Sequence, residues 1–263
     1  MRKIIIVSNR GWYLYNFRLR LIKELTKKYS VTLIFPYDEY ANLLEETGCK
    51  IMNWKLQRNS INPLTELVSI LNLLNLYSKI KPDITHHFTI KACLYGTIAG
   101  TLIGVKKIIN SITGLGHVFL ARNTNALIYK SIMVPLYKIV FNYKNSFLVF
   151  QNEQDKKFFQ NLKIITKDKS FLIRGSGVDV NYYKRENNIK IIDPKKTIKI
   201  FFPSRIIKEK GIIELIEACQ NLIDDNIDLN LYIPSELSFH NRSLLKKEEA
   251  QNLRNKSWIN WSW

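Results

Sequence analysis

A short loop carries two cations between a predicted buried strand and a predicted amphipathic helix. Arg205 offers a planar fork that donates two parallel hydrogen bonds, and Lys210 offers a mobile point charge. Gly211 directly precedes the helix, whose free N–H groups and dipole attract anions. The loop is therefore a candidate diphosphate site. Two solvated cations on a surface loop are the alternative interpretation.

Other candidate residues lie in loops that follow predicted strands. In an open α/β sheet the carboxyl ends of the strands meet at one edge, where ligands bind. The further loops expected there are 8–12, 88–91, 113–116, 151–152 and 175–179. Their Gly-x-Gly turns are weak signals. The sequence contains no GxGxxG and no GxxxxGK(S/T), so neither a dinucleotide fingerprint nor a Walker loop is indicated.

The histidines and cysteines form no metal or disulfide motif in the sequence. His86 and His87 are adjacent but lack a clustered carboxylate, which makes a poor metal site, and we expect His86 in the core. His87 or Lys91, near the end of a strand, could touch a sugar or a phosphate. The three cysteines are widely spaced without a CxxC pair, which favours a reducing compartment.

The composition is strongly basic and rich in apolar residues. Forty Lys and Arg against 22 Asp and Glu give a net charge of +18, and 46% of the residues are hydrophobic, which excludes a disordered basic tail. The charge fits a nucleic acid, an anionic membrane surface or a phosphate-rich substrate as partner. Alternatively, part of the basicity reflects the codon usage of an AT-rich genome and has no function. We expect no nucleic-acid partner, because the sequence has no recognition helix, RNP motif or basic arm.

Strand and helix patterns alternate along the first two thirds of the chain. The predicted strands are Lys3–Val7, Val31–Phe35, Ile51–Trp54, Ile84–Phe88, Lys107–Ile112, Phe147–Phe150 and Phe171–Ile173. The predicted helices are Tyr15–Lys28, Glu39–Glu46, Pro63–Ile80, Ala92–Leu102, Asn125–Tyr143 and Glu153–Leu162. This order predicts an α/β fold with a doubly wound parallel sheet over residues 1–180.

A second α/β domain is expected after a polar linker at residues 181–197. Residues 198–263 begin with a predicted strand, helix and strand, at Ile198–Phe202, Ile212–Ile223 and Leu229–Ile233. A parallel sheet with both faces covered needs more crossovers than this length provides. We therefore expect an incomplete domain.

No membrane span or secretory signal is expected from the sequence. The apolar run after Met1-Arg2-Lys3 ends at Val7, and the longest apolar stretches are interrupted by polar residues. The helix Asn125–Tyr143 mixes aliphatic residues, lysines and tyrosines. We expect this helix mainly to cover the sheet, with membrane contact as an added role.

Five segments together resemble the family-4 glycosyltransferases, which have the GT-B fold of two Rossmann-like domains facing a cleft. The likeness is greatest to bacterial enzymes that add N-acetylgalactosamine or a related sugar to a polyprenyl-diphosphate-linked acceptor. The five segments are Asn9–Arg18 (NRGWYLYNFR), Phe35–Tyr40 (FPYDEY), Arg58–Pro63 (RNSINP), Thr113–Gly116 (TGLG), and Ser204-Arg205 with Lys210-Gly211-Ile212. They occur in the family's order and extend over essentially the whole chain.

The resemblance implies a retaining transfer from a nucleotide-diphosphate sugar, UDP-linked, without an essential metal or other cofactor. Arg205 and Lys210 would be the catalytic cations that neutralise the departing diphosphate, which Gly211 would also border. The acceptor-side residues would be Asn9, Gly11, Arg18, His87, Lys91, Thr113, Gly114 and Gly116. The implied partners are the nucleotide sugar, a lipid-linked or saccharide acceptor and an anionic membrane surface, at the cytoplasmic face of the membrane.

The sequence departs from the family in its second domain. The family bears two glutamates in a Glu-x7-Glu arrangement, which the chain ends too early to contain, and Glu248 and Glu249 lie upstream of that position. We therefore expect a truncated second domain, which another chain could complete. A non-catalytic remnant, or a module that binds membrane or acceptor, is the alternative function. A sugar-nucleotide 2-epimerase is disfavoured because no matching acid/base residues are seen.

Overall fold

The computed structural model describes residues 1–114, 124–184, 197–204, 206, 210–233 and 256–261; for residues 124–130 it describes only the backbone. The chain divides into two compact units, Met1–Tyr183 and Lys184–Trp263. Each unit contains its own parallel sheet.

The first unit alternates strands and helices. In chain order they are β1 (Lys3–Val7), α1 (Gly11–Thr26), β2 (Ser30–Phe35), α2 (Ala41–Glu45), β3 (Lys50–Asn53), α3 (Pro63–Ile80), β4 (Ile84–Phe88), α4 (Ile90–Leu102), β5 (Lys107–Ile112), α5 (Thr124–Phe141), β6 (Ser146–Phe150), α6 (Glu153–Asn161) and β7 (Ser170–Leu172). The seven strands are parallel and have the order β3-β2-β1-β4-β5-β6-β7. This arrangement confirms the predicted doubly wound α/β class. Its topological switch point lies between β1 and β4.

The sheet is covered on both faces, as the continuous apolar strands predict. In β1, Ile4 and Ile6 pack in a core with α1 and Phe35, whereas Ile5 and Val7 pack in a second core on the opposite face. All four side chains are at most 4% exposed. Burial of such side chains stabilises the fold by roughly 1.5–3 kcal/mol each.

The ends of α3 follow from local sequence signals. The Asn62 side chain accepts a hydrogen bond from the Leu64 N–H (3.0 Å), and Pro63 occupies the first helical turn. At the other end Lys81 adopts a left-handed conformation before Pro82, which cannot continue a helix.

The described part of α5 packs on the sheet, as expected. Tyr137 and Phe141 are buried in the core, and Pro135 lies inside the helix on its exposed side. Ile132 and Ile139 are 63% and 76% exposed. Within the described ranges, no helix is both long enough and apolar enough to cross a membrane.

The second unit contains β8 (Ile198–Phe201), α7 (Ile212–Asp224), β9 (Leu229–Ile233) and β10 (Ile259–Trp261). The strands are parallel in the order β10-β9-β8. Ile212 and Ile216 of α7 pack against Leu231 and Ile233 of β9. The strand β10 was not predicted from the sequence.

Candidate functional site

A pocket of about 530 Å³ lies beyond the carboxyl ends of β1, β2 and β3. This is the edge at which doubly wound sheets bind ligands. Its lining residues are Asn9, Arg10, Trp12, Pro36, Tyr37, Asp38, Glu39, Tyr40, Leu56 and Arg58. They come from three loops that are far apart in sequence, and three of the five family-like segments contribute to them.

Asp38 joins two of these loops. Its Oδ2 accepts a hydrogen bond from the Trp12 N–H at the start of α1 (3.1 Å), and its Oδ1 accepts one from the Tyr40 N–H (3.2 Å). The carboxylate therefore satisfies a free donor and the positive dipole end of α1. Because the protein's own anion occupies this helix terminus, a ligand phosphate is disfavoured there.

Gly11 allows this approach of α1 to the loop after β2. A Cβ atom at residue 11 would overlap Asp38 Oδ1 and come within 2.6 Å of Phe35 Cε2. The structure thus places Gly11 behind the pocket wall and Asn9 in its lining. Of the seven described residues among those expected on the acceptor side, Asn9 lines the pocket, and Gly11 lies against Asp38, which also lines it.

The pocket combines aromatic faces with polar groups. Trp12 and Tyr37 are 40% and 57% exposed, and Arg10, Glu39 and Arg58 add charged hydrogen-bonding groups. A sugar ring presents an apolar face that stacks on aromatic rings and hydroxyls that paired polar groups bind. The arrangement is therefore suited to a saccharide.

Arg10, Trp12 and Arg58 were not among the binding residues predicted from the sequence. The available signal was their position, because each follows a predicted strand and lies in a family-like segment. Sequence alone does not show that the loop after β3, which includes Arg58, reaches the same pocket as the turn after β1.

Lys91 contacts the loop after β3 and is not part of the pocket lining. Its ammonium donates to the Ser60 carbonyl (2.6 Å) and the Gln57 carbonyl (3.4 Å), and it pairs with Glu66 Oε1 (2.8 Å). The other Glu66 oxygen accepts a hydrogen bond from the Tyr95 hydroxyl. These contacts use all three ammonium donors. Lys91 therefore positions the loop that carries Arg58.

His87 is fully buried, although the sequence groups it with the acceptor-side residues. Its Nδ1 lies 2.7 Å from Asn110 Oδ1, and its Nε2 lies 2.8 Å from the Tyr77 hydroxyl. Because an amide oxygen only accepts, Nδ1 carries the proton and Nε2 accepts from Tyr77. Desolvation lowers the pKa of His87 to about 4. The buried, neutral ring is part of the core and does not reach a ligand.

Arg18 belongs to a separate cluster between α1 and β4. Its guanidinium donates to the Tyr13 hydroxyl (2.8 and 3.1 Å) and lies 4.5 Å from the centre of the Phe88 ring. Burial raises the pKa of Tyr13, and the Arg18 charge opposes that rise. On the same side His86 Nε2 lies 2.9 Å from Ser111 Oγ. Desolvation lowers the pKa of His86 to about 3, and the neighbouring His87 and Arg18 contribute to the same shift.

The loop after β7 lies beside α1. Ser176 acts to lower the pKa of Tyr13, against the effect of burial, and Asp179 Oδ2 lies 3.5 Å from Arg20 Nη1. Thr113 and Gly114 follow β5, and Gly114 has a φ of 146°. Gly116 lies outside the described residues.

The predicted diphosphate site is described in part. Arg205 lies outside the described residues, and Lys210 is exposed immediately before α7. Gly211 is the N-cap of α7 and has a φ of 76°, a conformation that L side chains rarely adopt. The diphosphate role of these residues stays a prediction. Among the described residues, no group of three or more His, Cys, Asp or Glu side chains could hold a metal ion.

Comparison with known proteins identifies the family. The model of the family described as "Glycosyl transferase 4-like" matches residues 3–153, which include β1 to β6 and the three pocket loops. The chain belongs to this glycosyl transferase 4-like family. The predicted family resemblance is thus confirmed.

A curated relative and two solved structures resemble this family member. The N,N'-diacetylbacillosaminyl-diphospho-undecaprenol alpha-1,3-N-acetylgalactosaminyltransferase of Campylobacter jejuni is 25% identical over 231 residues, which are 84% of this chain. The chain spans 61% of that relative's length.

Both solved structures have the same fold as this chain. A Rickettsia africae glycosyltransferase has a TM-score of 0.67 at 20% identity, covering 99% of this chain and 67% of its own. The Anabaena protein HepE, solved with UDP and glucose, has a TM-score of 0.70 at 15% identity, covering 99% and 69%. These likenesses confirm the predicted GT-B type of α/β fold.

Proposed function

We propose that the protein is a retaining glycosyltransferase of cell-surface glycan synthesis. It transfers a hexose or N-acetylhexosamine from a nucleotide-diphosphate sugar to a saccharide acceptor linked to a polyprenyl diphosphate. The observation that carries this proposal is the pocket beyond β1, β2 and β3, in a chain that belongs to the glycosyl transferase 4-like family. The name of the Campylobacter relative supports the choice of a lipid-linked acceptor.

The acceptor sugar occupies the pocket in this proposal. Trp12 and Tyr37 supply the stacking faces, and Arg10 and Arg58 supply paired donors for sugar oxygens. The domain of residues 1–180 is then the acceptor domain. Residues 181–197 are the linker, and residues 198–263 are the start of the donor domain.

The donor is a UDP-sugar whose diphosphate is bound by Arg205, Lys210 and the backbone near Gly211. The two cations stabilise negative charge that develops as the sugar–phosphate bond breaks, so that no metal or other cofactor is required. The left-handed Gly211 supports this role, because its lack of a side chain leaves the start of α7 open to a ligand. The reaction takes place at the cytoplasmic face of the membrane, where a lipid-linked acceptor is available.

A transfer assay tests the proposal directly. The chain is incubated with UDP-N-acetylgalactosamine and a synthetic prenyl-diphosphate-linked N,N'-diacetylbacillosamine, and products are separated by chromatography and weighed by mass spectrometry. We expect an acceptor heavier by one N-acetylhexosamine. In parallel, quenching of Trp12 fluorescence measures acceptor binding, with the Trp12→Phe variant as the control for signal. Absence of both transfer and acceptor binding would refute the proposal.

A further inference from the structure

The first half of α3 presents an apolar stripe to solvent. Leu64, Leu67, Val68 and Leu71 are 73%, 50%, 55% and 52% exposed. Their spacing of i, i+3, i+4 and i+7 places them within an arc of about 100° on one helix face. Ile61, in the preceding loop, is 75% exposed and extends the stripe. An exposed apolar face of this kind marks an interaction surface.

Near this stripe the basic side chains are exposed, whereas the acidic side chain of α3 is not. The single acidic residue of α3, Glu66, lies on the opposite side of the helix and is tied to Lys91 and Tyr95. Its basic residue, Lys79, is exposed. Lys55 is also exposed and adjoins the helix, because its N–H donates to Asn72 Oδ1 (2.9 Å). The carboxylate is thus withdrawn, and the outward charges are cationic.

We propose that this stripe of α3 docks on an anionic lipid bilayer. Leucine side chains enter the boundary between headgroups and acyl chains, while Lys55 and Lys79 contact anionic headgroups. The choice of a bilayer as partner rests on the proposed function, in which the acceptor is lipid-linked. Ile61 belongs to the same loop as Arg58, so docking brings the pocket to the membrane surface.

Vesicle sedimentation tests the docking surface. The chain is mixed with vesicles of phosphatidylglycerol and phosphatidylcholine, or of phosphatidylcholine alone. We expect binding to the anionic vesicles, and about tenfold weaker binding by the variant L64Q/L67Q/L71Q. The comparison variant I132Q/I139Q removes two exposed apolar residues of α5, the helix for which the sequence indicated an added membrane contact. If α3 is the docking surface, this variant binds like the unsubstituted chain. Circular dichroism and thermal unfolding verify that both variants fold.

A fluorescent label gives a second measurement that does not depend on the triple variant. The three native cysteines are buried, so a polarity-sensitive dye attaches selectively to a Leu67→Cys variant. We expect its emission to shift to the blue with anionic vesicles, and a dye on an Ile139→Cys variant to shift much less. A shift at residue 139 alone would overturn the assignment to α3.

Three further outcomes would overturn the proposal. They are equal binding to both kinds of vesicle, no loss of binding in the triple variant, and a dimer in ultracentrifugation that the triple variant abolishes. Vesicle binding is measured without sugar transfer. Vesicle binding without either transfer or acceptor binding therefore contradicts the proposed function alone, whereas transfer to a soluble acceptor without vesicle binding contradicts this inference alone.

Discussion

Asp38 stabilises α1 from a different segment of the chain. We predict that Asp38→Ala lowers the free energy of unfolding by about 1 kcal/mol, because the Trp12 N–H loses its acceptor. Acceptor binding should weaken as well, since the loops after β1 and β2 are no longer joined. Urea unfolding and Trp12 fluorescence measure the two effects. Glu39→Ala, at the exposed neighbour, should retain wild-type stability, and equal losses in both variants would contradict the capping role.

The buried His87 makes stability depend on pH. Its pKa is about 4 in the folded protein and 6.5 when solvated, so the unfolded state binds more protons between these values. The contribution of His87 to the free energy of unfolding is therefore fully present above about pH 6.5. It is lost as the pH falls towards 4, and it amounts to about 3 kcal/mol in total. His86, whose folded pKa is about 3, adds a similar dependence.

Unfolding free energies measured from pH 4 to pH 7.5 test this dependence. His87→Gln should have a smaller slope over that range than the wild type, whatever its overall stability. His86→Gln, made at the neighbouring position on the opposite face of β4, separates the two contributions. An unchanged slope in His87→Gln would mean that folding does not shift the pKa of His87, and it would contradict this prediction.

At the scale of elements, Lys91 at the start of α4 positions the loop after β3. We predict that Lys91→Met weakens acceptor binding about tenfold and lowers stability by about 1–3 kcal/mol, because the Ser60 and Gln57 carbonyls lose a charged donor. Hydrogen exchange should become faster in residues 57–60. Lys79→Met on exposed α3 is the matched control and should leave exchange in that loop unchanged. Amide hydrogen exchange in residues 57–60 that is as slow in Lys91→Met as in the wild type would contradict the positioning role.

The elements that sequence reasoning predicted well have local signals. The helix Pro63–Ile80 was predicted with its observed bounds, because Asn62-Pro63 and Lys81-Pro82 mark its ends. The start of α1 was predicted four residues late, at Tyr15, because its cap comes from Asp38, 26 residues away. β10 was missed because its three residues form a strand only through pairing with β9.

The site shows the same division between local and long-range information. Loop positions after the strands were predictable, and they include Asn9 and Gly11 at the pocket. The roles of Lys91 and His87 were not, since they depend on contacts with residues 10–34 positions away in the chain. Whether a side chain at the end of a strand contacts a ligand or the core depends on how deeply it is buried and on which way it points. A single sequence shows neither.

For the chain as a whole, the proposed transfer requires both the proposed donor unit and the proposed acceptor pocket. We predict that Arg205→Ala or Lys210→Ala lowers the transfer rate by about 10²–10³-fold, since each removes positive charge from the departing diphosphate. Acceptor binding, measured by Trp12 fluorescence, should not change. Lys199→Ala in β8 is the control for a general loss of charge and should retain the rate. A rate equal to wild type in both loop variants would remove this loop from the donor site.

The tie between Asp38 and α1 also constrains how acceptor preference can be re-engineered. Residues 9–12 and 36–40 touch through a shared carboxylate and a glycine that leaves no spare space. If only one of the two loops were replaced by that of a homologue, the contacts of Asp38 and Gly11 between the loops would therefore be lost or would clash. The two loops should be exchanged as a pair, and libraries that diversify Tyr37 and Glu39 while retaining Gly11 and Asp38 should keep the scaffold intact.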